Sequence, residues 1–221
     1  MTTLRSRTVF IIGYLDGIDH LVQQESKYYK DVLQLSIPDQ YDNLVYKTIY
    51  SLLWLLHVNI EAEFIHFVDD DRLVNPVHIY DFATNTIDST ELVMIGYKLE
   101  LSRPNRNKNS KTYISPEDYP YSYYPPYLIG GTILTNIKTV RALAIAVAFI
   151  KIVPIEDVYL GIVALMANIK LKHHLKFLPY KQSPSNLWKT ASSPGYATTY
   201  ALLRDWHLVS STNNIKKISQ M

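Results

Sequence analysis

The chain has 221 residues and a mass of 25.5 kDa, and 48% of it is hydrophobic, enough for one core-bearing domain or two small ones; a chain disordered throughout is excluded. Lys and Arg number 22 against 20 Asp and Glu, a net charge of +2, so no global field recruits nucleic acid or an acidic membrane surface. With no Cys there are no disulfides, no thiolate metal sites and no cysteine nucleophile.

After Arg5 and Arg7 the apolar run is too short for a signal peptide, and no later stretch approaches the roughly 18 apolar residues that span a bilayer. Residues 8–13 (TVFIIG) form a β-branched run closed by glycine, and Leu21, Val22, Glu25, Tyr28 and Tyr29 follow near helical spacing. This reads as strand, then helix. Residues 32–37 give a second strand, Pro38-Asp39 a turn, and Ile49, Leu52, Leu53 and Leu56 one face of a long helix capped by Asn43. Residues 64–68 (FIHFV) give a third strand. Strands alternating with helices predict β-α-β units on a parallel sheet, where ligands bind at the carboxyl ends of the strands. Asp69, Asp70 and Asp71 stand at that end of the third strand.

The second half is less regular. Residues 91–101 read as a long strand, 102–111 as a polar basic loop, 127–136 as a strand interrupted by Gly130-Gly131, and 139–150 and 156–169 as helices. No linker divides the chain, so residues 1–221 are expected to form a single domain.

Three consecutive carboxylates after an apolar strand repel one another unless a cation sits among them, and oxygen-only donors suit Mg²⁺ or Mn²⁺. The same acids also read as a solvated turn or a helix N-terminus. Glu156-Asp157 after Pro154-Ile155 has the composition of an ordinary helix start. Residues 113–127 (YISPEDYPYSYYPPY) join aromatics to prolines, and serve either as a stacking surface for sugars or bases or as a tyrosine-packed lid on a core edge. His57, His66 and His78 read as structural, His173-His174 as solvated. No phosphate-binding glycine loop and no Gly-x-Ser-x-Gly elbow occurs.

The order of these blocks carries more information than any one of them. Glu25, Tyr29, Asp31, Asp39, Tyr41, Asn43, Leu44, Lys47, Thr48 and Trp54, then VDDDRLVN, SKTYISPEDYPYSYYPPYLIGG and PIEDVYLG, resemble the beta-1,3-galactosyltransferase family of inverting glycosyltransferases and its N-acetylglucosamine-transferring relatives. The resemblance runs from about Phe10 to the C-terminus. It implies an α/β fold of GT-A type, a nucleotide-sugar-binding domain with a largely parallel central sheet flanked by helices. It also implies a UDP-galactose or UDP-N-acetylglucosamine donor, a Mn²⁺ ion, a glycan acceptor on glycoprotein or glycolipid, and a Golgi-lumen location.

Residue by residue, the resemblance puts the metal on Asp69 and Asp71, with His207 as a further ligand ahead of a small polar run at Ser210 and a final helix from Ile215. Asp69, Asp70, Gly130 and Gly131 would line the donor and sugar cleft, and Asp157 would be the catalytic base. The sequence departs from the family at Arg72, where an apolar residue is usual, and in lacking the family's cysteines. The family's cytoplasmic tail, membrane anchor, stem and first segment have no counterpart before Arg5, so the chain reads as a fragment or an abbreviated relative, with membrane attachment only through an anchor it does not contain. The alternatives are a catalytically inactive relative that binds glycans or nucleotide sugars, and a metal-dependent nucleotidyltransferase, which is disfavoured by the missing phosphate loop.

Overall fold

The computed structural model describes residues 6–211. Strand β1 (Phe10–Tyr14), helix α1 (Asp19–Tyr29) and strand β2 (Val32–Pro38) form the first β-α-β unit, and β1 and β2 pair in parallel as expected. The chain then enters α2 (Leu44–His57) and β3 (Phe64–Val68), the latter with the bounds read from the sequence. Asn43 stands at the cap position of α2 without capping through its side chain. Its Nδ2 donates instead to the Pro38 carbonyl at 2.9 Å, tying the helix entry to the end of β2. The buried face of α2 is Val45, Ser51, Leu52 and Leu55, rotated from the expected one, and Leu53 and Leu56 are exposed.

After β4 (Leu73–Val74) comes α3 (Pro76–Thr86), which the sequence reading did not identify. Its start was nevertheless written in the chain: Pro76 occupies the first turn, and the Asn75 side chain accepts from the His78 amide. The expected strand over residues 91–101 is two strands, β5 (Val93–Gly96) and β6 (Lys98–Leu99), because the chain changes partner at Tyr97: β5 pairs with β8 and β9, and β6 with β7.

Strands β7 (Tyr127–Leu128) and β8 (Thr132–Asn136) flank the double glycine as expected, followed by α4 (Ile137–Ala146), α5 (Glu156–Met166) and β9 (Lys170–His173). Buried Asn136 ends β8 and caps α4 by accepting from the Thr139 amide at 2.8 Å. The described residues end with β10 (Ser192–Ser193), antiparallel to β4, and α6 (Thr199–Ser211).

The architecture is α/β, but the central sheet is mixed and not largely parallel. Its order is β3-β8-β5-β9; β8 runs antiparallel to both neighbours, and only β5 and β9 are parallel. The reason lies in the connection. A parallel strand needs a crossover from the far end of the sheet, whereas β8 is entered through the Gly130-Gly131 turn beside the carboxyl end of β3, with Thr132 opposite Val68. The same geometry lays the glycine turn against the acidic turn.

Two clusters bury the faces of this sheet. Met94 and Ile133 point toward α2, α4 and α5, packing with Leu52, Val140, Leu143, Val158 and Val163. Val93, Ile95 and Leu134 point the other way, toward Phe82 and Ala83 of α3 and toward Phe177. The alternation is the period-two pattern of a strand covered on both faces, and each fully buried aliphatic side chain contributes about 1.5–3 kcal/mol.

Candidate active site

The acidic turn after β3 is fastened to the glycine turn by the Asp69 amide, which donates to the Gly131 carbonyl at 3.0 Å. Gly131 has φ 80°, a conformation that favours glycine. A Cβ on it would lie 2.5 Å from Arg72 Nε, 2.6 Å from Asp69 Oδ2 and 2.7 Å from Arg72 Nη2, so glycine is required twice over. On the other side of the turn the Gly130 amide donates to Asp157 Oδ2 at 3.4 Å. The two glycines thus join carboxylates that are 88 positions apart in the chain, Asp69 and Asp157.

Asp157 lies half-buried in the first turn of α5 and also accepts from the Val158 amide at 3.0 Å through Oδ1. Desolvation raises its pKa above the ordinary carboxylate value, and these amides partly restrain the rise. Glu156 is half-buried beside it, and Thr48 Oγ1 of α2 donates to its Oε1. Burial, with added repulsion from Asp69 and Asp157, pushes Glu156 up to about 7 against the Thr48 hydrogen bond. Composition at a helix start hides this, because the same two acids would be ordinary on a solvated helix.

Asp69 is open to solvent yet also lies above the ordinary carboxylate range. Desolvation by the surrounding walls is the largest cause, Arg72 opposes it, and Asp71, Asp70 and Asp157 add to it. Tyr41, just before α2, has its phenol pushed up by burial and then by Asp157, Glu156, Asp42 and Asp69, which places its hydroxyl in the field of the same carboxylates.

Asp71 is held from the C-terminal side. Its Oδ2 accepts from the Gly195 amide at 3.4 Å and its carbonyl from the Tyr196 amide at 3.0 Å. Behind Tyr196, its hydroxyl donates to buried Asp205 Oδ2 at 3.0 Å, and Arg204 Nε donates to Asp205 Oδ1 at 2.8 Å. Asp70 is exposed and makes no hydrogen bond among the described residues.

His207 is exposed within α6; Ile215, where a final helix was expected, lies outside the described residues. Among the described residues no three His, Asp or Glu side chains gather as a group to hold a metal ion, so the set Asp69, Asp71 and His207 is not assembled. What is present still fits a hard divalent cation: Asp69 and Asp71 offer oxygen donors open to solvent, and such ions are commonly held by one or two carboxylates together with substrate phosphates.

The tyrosine segment packs mainly as a core edge. Tyr119 and Tyr124 are 7% and 6% exposed, pack as tilted rings with centroids 4.8 Å apart, and lead to Tyr127. Arg106 of the basic loop donates to the carbonyls of Ile114, Tyr119 and Tyr121, so that loop fastens the segment. Gly161 of α5 lets the helix close on it, since a Cβ there would lie 2.5 Å from Tyr127 Cβ. Of the histidines, His66 is a structural partner of Thr132 Oγ1 at 2.8 Å, its pKa lowered to about 4 by burial and then Arg72.

An α/β fold that gathers an acidic turn, a glycine turn and a half-buried carboxylate at a strand end has the donor groups of the class of sites that take a phosphorylated ligand and transfer a proton. Comparison with known proteins narrows this class. The family model described as Galactosyltransferase matches residues 2–175, and the chain belongs to that family.

The beta-1,3-galactosyltransferase brn of Drosophila melanogaster is 32% identical over 212 residues, 94% of this chain and 65% of the relative. The UDP-GlcNAc:betaGal beta-1,3-N-acetylglucosaminyltransferase 7 of Rattus norvegicus is 32% identical over 177 residues, 77% of this chain and 44% of the relative. A solved glycosyltransferase involved in glycosylation of the major capsid of PBCV-1 aligns over 92% of this chain and 98% of its own, with a TM-score of 0.45 and 13% identity. The chain covers less than two thirds of either curated relative.

Proposed function

We propose that this protein is an inverting hexosyltransferase, one catalytic domain that moves galactose or N-acetylglucosamine from a UDP-sugar to a glycan hydroxyl in protein glycosylation, forming a beta-1,3 linkage. The observation that carries the reading is the juxtaposition of the Asp69–Asp71 turn and Asp157 across Gly130-Gly131. Family membership and the named activities of the relatives support the donor and the linkage.

In this reading Asp69 and Asp71 hold a divalent cation, with Mn²⁺ the proposed ion. Such an ion supplies Lewis-acid neutralisation of the charge that develops on the leaving diphosphate. Asp157 takes the proton of the acceptor hydroxyl at Oδ2 as that oxygen attacks the anomeric carbon from the face opposite UDP, so configuration inverts. Its raised pKa makes it a stronger base than a solvated aspartate, and the Gly130 and Val158 amides fix the rotamer in which it works. Glu156, titrating near neutrality, links the charge around Asp157 to pH.

A Golgi-lumen location, with membrane attachment through a segment outside this chain, belongs to the same proposal. No helix among the described residues is long and apolar enough to cross a membrane. The test is transfer from UDP-galactose and UDP-N-acetylglucosamine to a panel of galactosyl, N-acetylglucosaminyl and N-acetylgalactosaminyl acceptors. Asp157→Asn is expected to lower turnover roughly 10²–10⁴-fold, the usual worth of a general base, with UDP affinity preserved. Unchanged turnover in that variant removes the base assignment.

A further inference from the structure

Arg72 is the one strongly basic side chain built into the acidic turn, and it is nine-tenths buried, 9% exposed. Its Nη1 donates to Ser192 Oγ at 3.2 Å and its Nη2 to the Gly130 carbonyl at 3.4 Å, so β10 and the glycine turn fix the plane of the guanidinium. Nε is buried and has no hydrogen-bond partner among the described residues. A guanidinium carries five N–H donors, and a buried unpaired one is costly unless something else completes it.

The position of that edge decides what can complete it. Nε and Nη2, the pair that grips an oxyanion in bidentate fashion, lie 2.5 and 2.7 Å from the point where a Gly131 Cβ would stand. Asp69 Oδ2 lies 2.6 Å from the same point, yet Asp69 and Arg72 form no ion pair among the described residues. Nε thus lacks an acceptor among the described residues, although a carboxylate that would attract it stands close by. Asp70 and Asp71 are exposed on the same turn, so the fixed cation offsets part of their charge at the place where a phosphorylated ligand would come.

We propose that the Nε–Nη2 edge of Arg72 is an intrinsic anion-holding element for the diphosphate of the nucleotide donor, so that the protein binds a nucleoside diphosphate without a divalent ion. This inference rests on the donor assignment above and adds a residue to it. Ser192 is a positioning residue in the arrangement, since it acts through Arg72.

The experiment is calorimetric titration of UDP and of uridine into wild type, Arg72→Leu, Arg72→Gln and Arg72→Lys, each in EDTA and in Mn²⁺. Wild type is expected to bind UDP in EDTA and to prefer it to uridine. Arg72→Leu should lose that preference by roughly tenfold or more, the effect of removing a charge-assisted hydrogen bond, while uridine binding stays unchanged. Arg72→Lys should retain part of it. Arg72→Gln keeps a polar planar group near the place of Nε without the charge, and the melting transitions of the variants separate loss of binding from loss of folding.

Wild-type binding of UDP only with Mn²⁺, or an unaltered preference in folded Arg72→Leu or Arg72→Gln, overturns the proposal and leaves the donor assignment standing. No UDP binding in either condition overturns both.

Discussion

The Gly130 amide donates to Asp157 Oδ2 at 3.4 Å, and this contact joins the strand carrying the acidic turn's neighbour to the helix carrying the proposed base. Its twin, Gly131, faces the opposite way, toward Asp69 and Arg72. Two adjacent glycines therefore hold both halves of the site, and their demands differ.

That difference gives a paired prediction. Alanine at Gly131 would place its Cβ 2.5–2.7 Å from Arg72 and Asp69 in a backbone conformation with φ 80°, and should destabilise the fold by about 1–3 kcal/mol. Alanine at Gly130 meets Asp157 Cβ at 3.6 Å, an ordinary contact, and should be tolerated. Chemical denaturation of both variants checks the contrast; equal losses would show that the two positions are not distinct.

The environment of Glu156 predicts a pH dependence of stability. Its folded pKa of about 7 stands above the ordinary value of 4.5, so the folded state holds this proton more tightly than the unfolded chain. The charged form therefore costs stability progressively as pH rises from about 4.5 to 7, and fully above that. Glu156→Gln keeps a group able to accept from Thr48 and removes the charge. It should stabilise the protein at pH 8 by up to about 3 kcal/mol, since each pK unit corresponds to about 1.4 kcal/mol, and should be nearly neutral at pH 4. Urea unfolding of wild type and variant at the two pH values measures this. A stabilisation independent of pH would mean that the ionised carboxylate is not the source.

Much of this site was legible in the sequence, for identifiable reasons. The strand FIHFV has a fixed length between breakers, so its end, and with it Asp69–Asp71, could be placed without coordinates. The double glycine between two apolar runs marked a turn, and Pro154 marked the start of α5. Sheet direction was not legible: whether β8 runs with or against β3 depends on which end of the sheet its turn occupies. Nor was the burial of Glu156 beside Asp69 and Asp157, which pushes an ordinary helix-start acid up to about 7 against a hydrogen bond from Thr48, 108 residues away. Arg72 stood out in sequence only as an odd residue beside three acids. Its burial comes from Ser192 and Gly130, neither of which local pattern could bring to it.

Removing one carboxylate tests the cation assignment. Asp71→Ala should leave metal-free UDP binding close to that of wild type, because Arg72 and the glycine turn are untouched, and should abolish the gain that Mn²⁺ brings. A loss of roughly tenfold or more in manganese-dependent affinity is expected, given that even indirect partners of metal ligands are worth 10–100-fold. Calorimetry of UDP at fixed Mn²⁺ provides the measurement. An undiminished manganese effect would take Asp71 out of the ion's coordination.

The last prediction concerns the C-terminal helix, which lies beyond the residues that the family model matches. Asp205 is 1% exposed and is held below the ordinary carboxylate range first by the Arg204 hydrogen bond and then by the Tyr196 hydroxyl, against the cost of burial. A carboxylate with a lowered folded pKa contributes stability above its unfolded value of about 3.8 and loses it as pH falls further. Tyr196→Phe removes one of its two side-chain partners while keeping the ring that Lys181 covers at 4.1 Å. The variant should lose about 1–3 kcal/mol at pH 7, the cost of leaving a buried acceptor under-satisfied, and less at pH 3, where Asp205 is closer to neutral. Because the Tyr196 amide also holds the Asp71 carbonyl, the same variant should weaken manganese-dependent UDP binding more than metal-free binding. Denaturation at the two pH values and calorimetry with and without Mn²⁺ read these effects separately, and a stability loss with no change in the manganese effect would confine the Tyr196–Asp205 pair to anchoring α6.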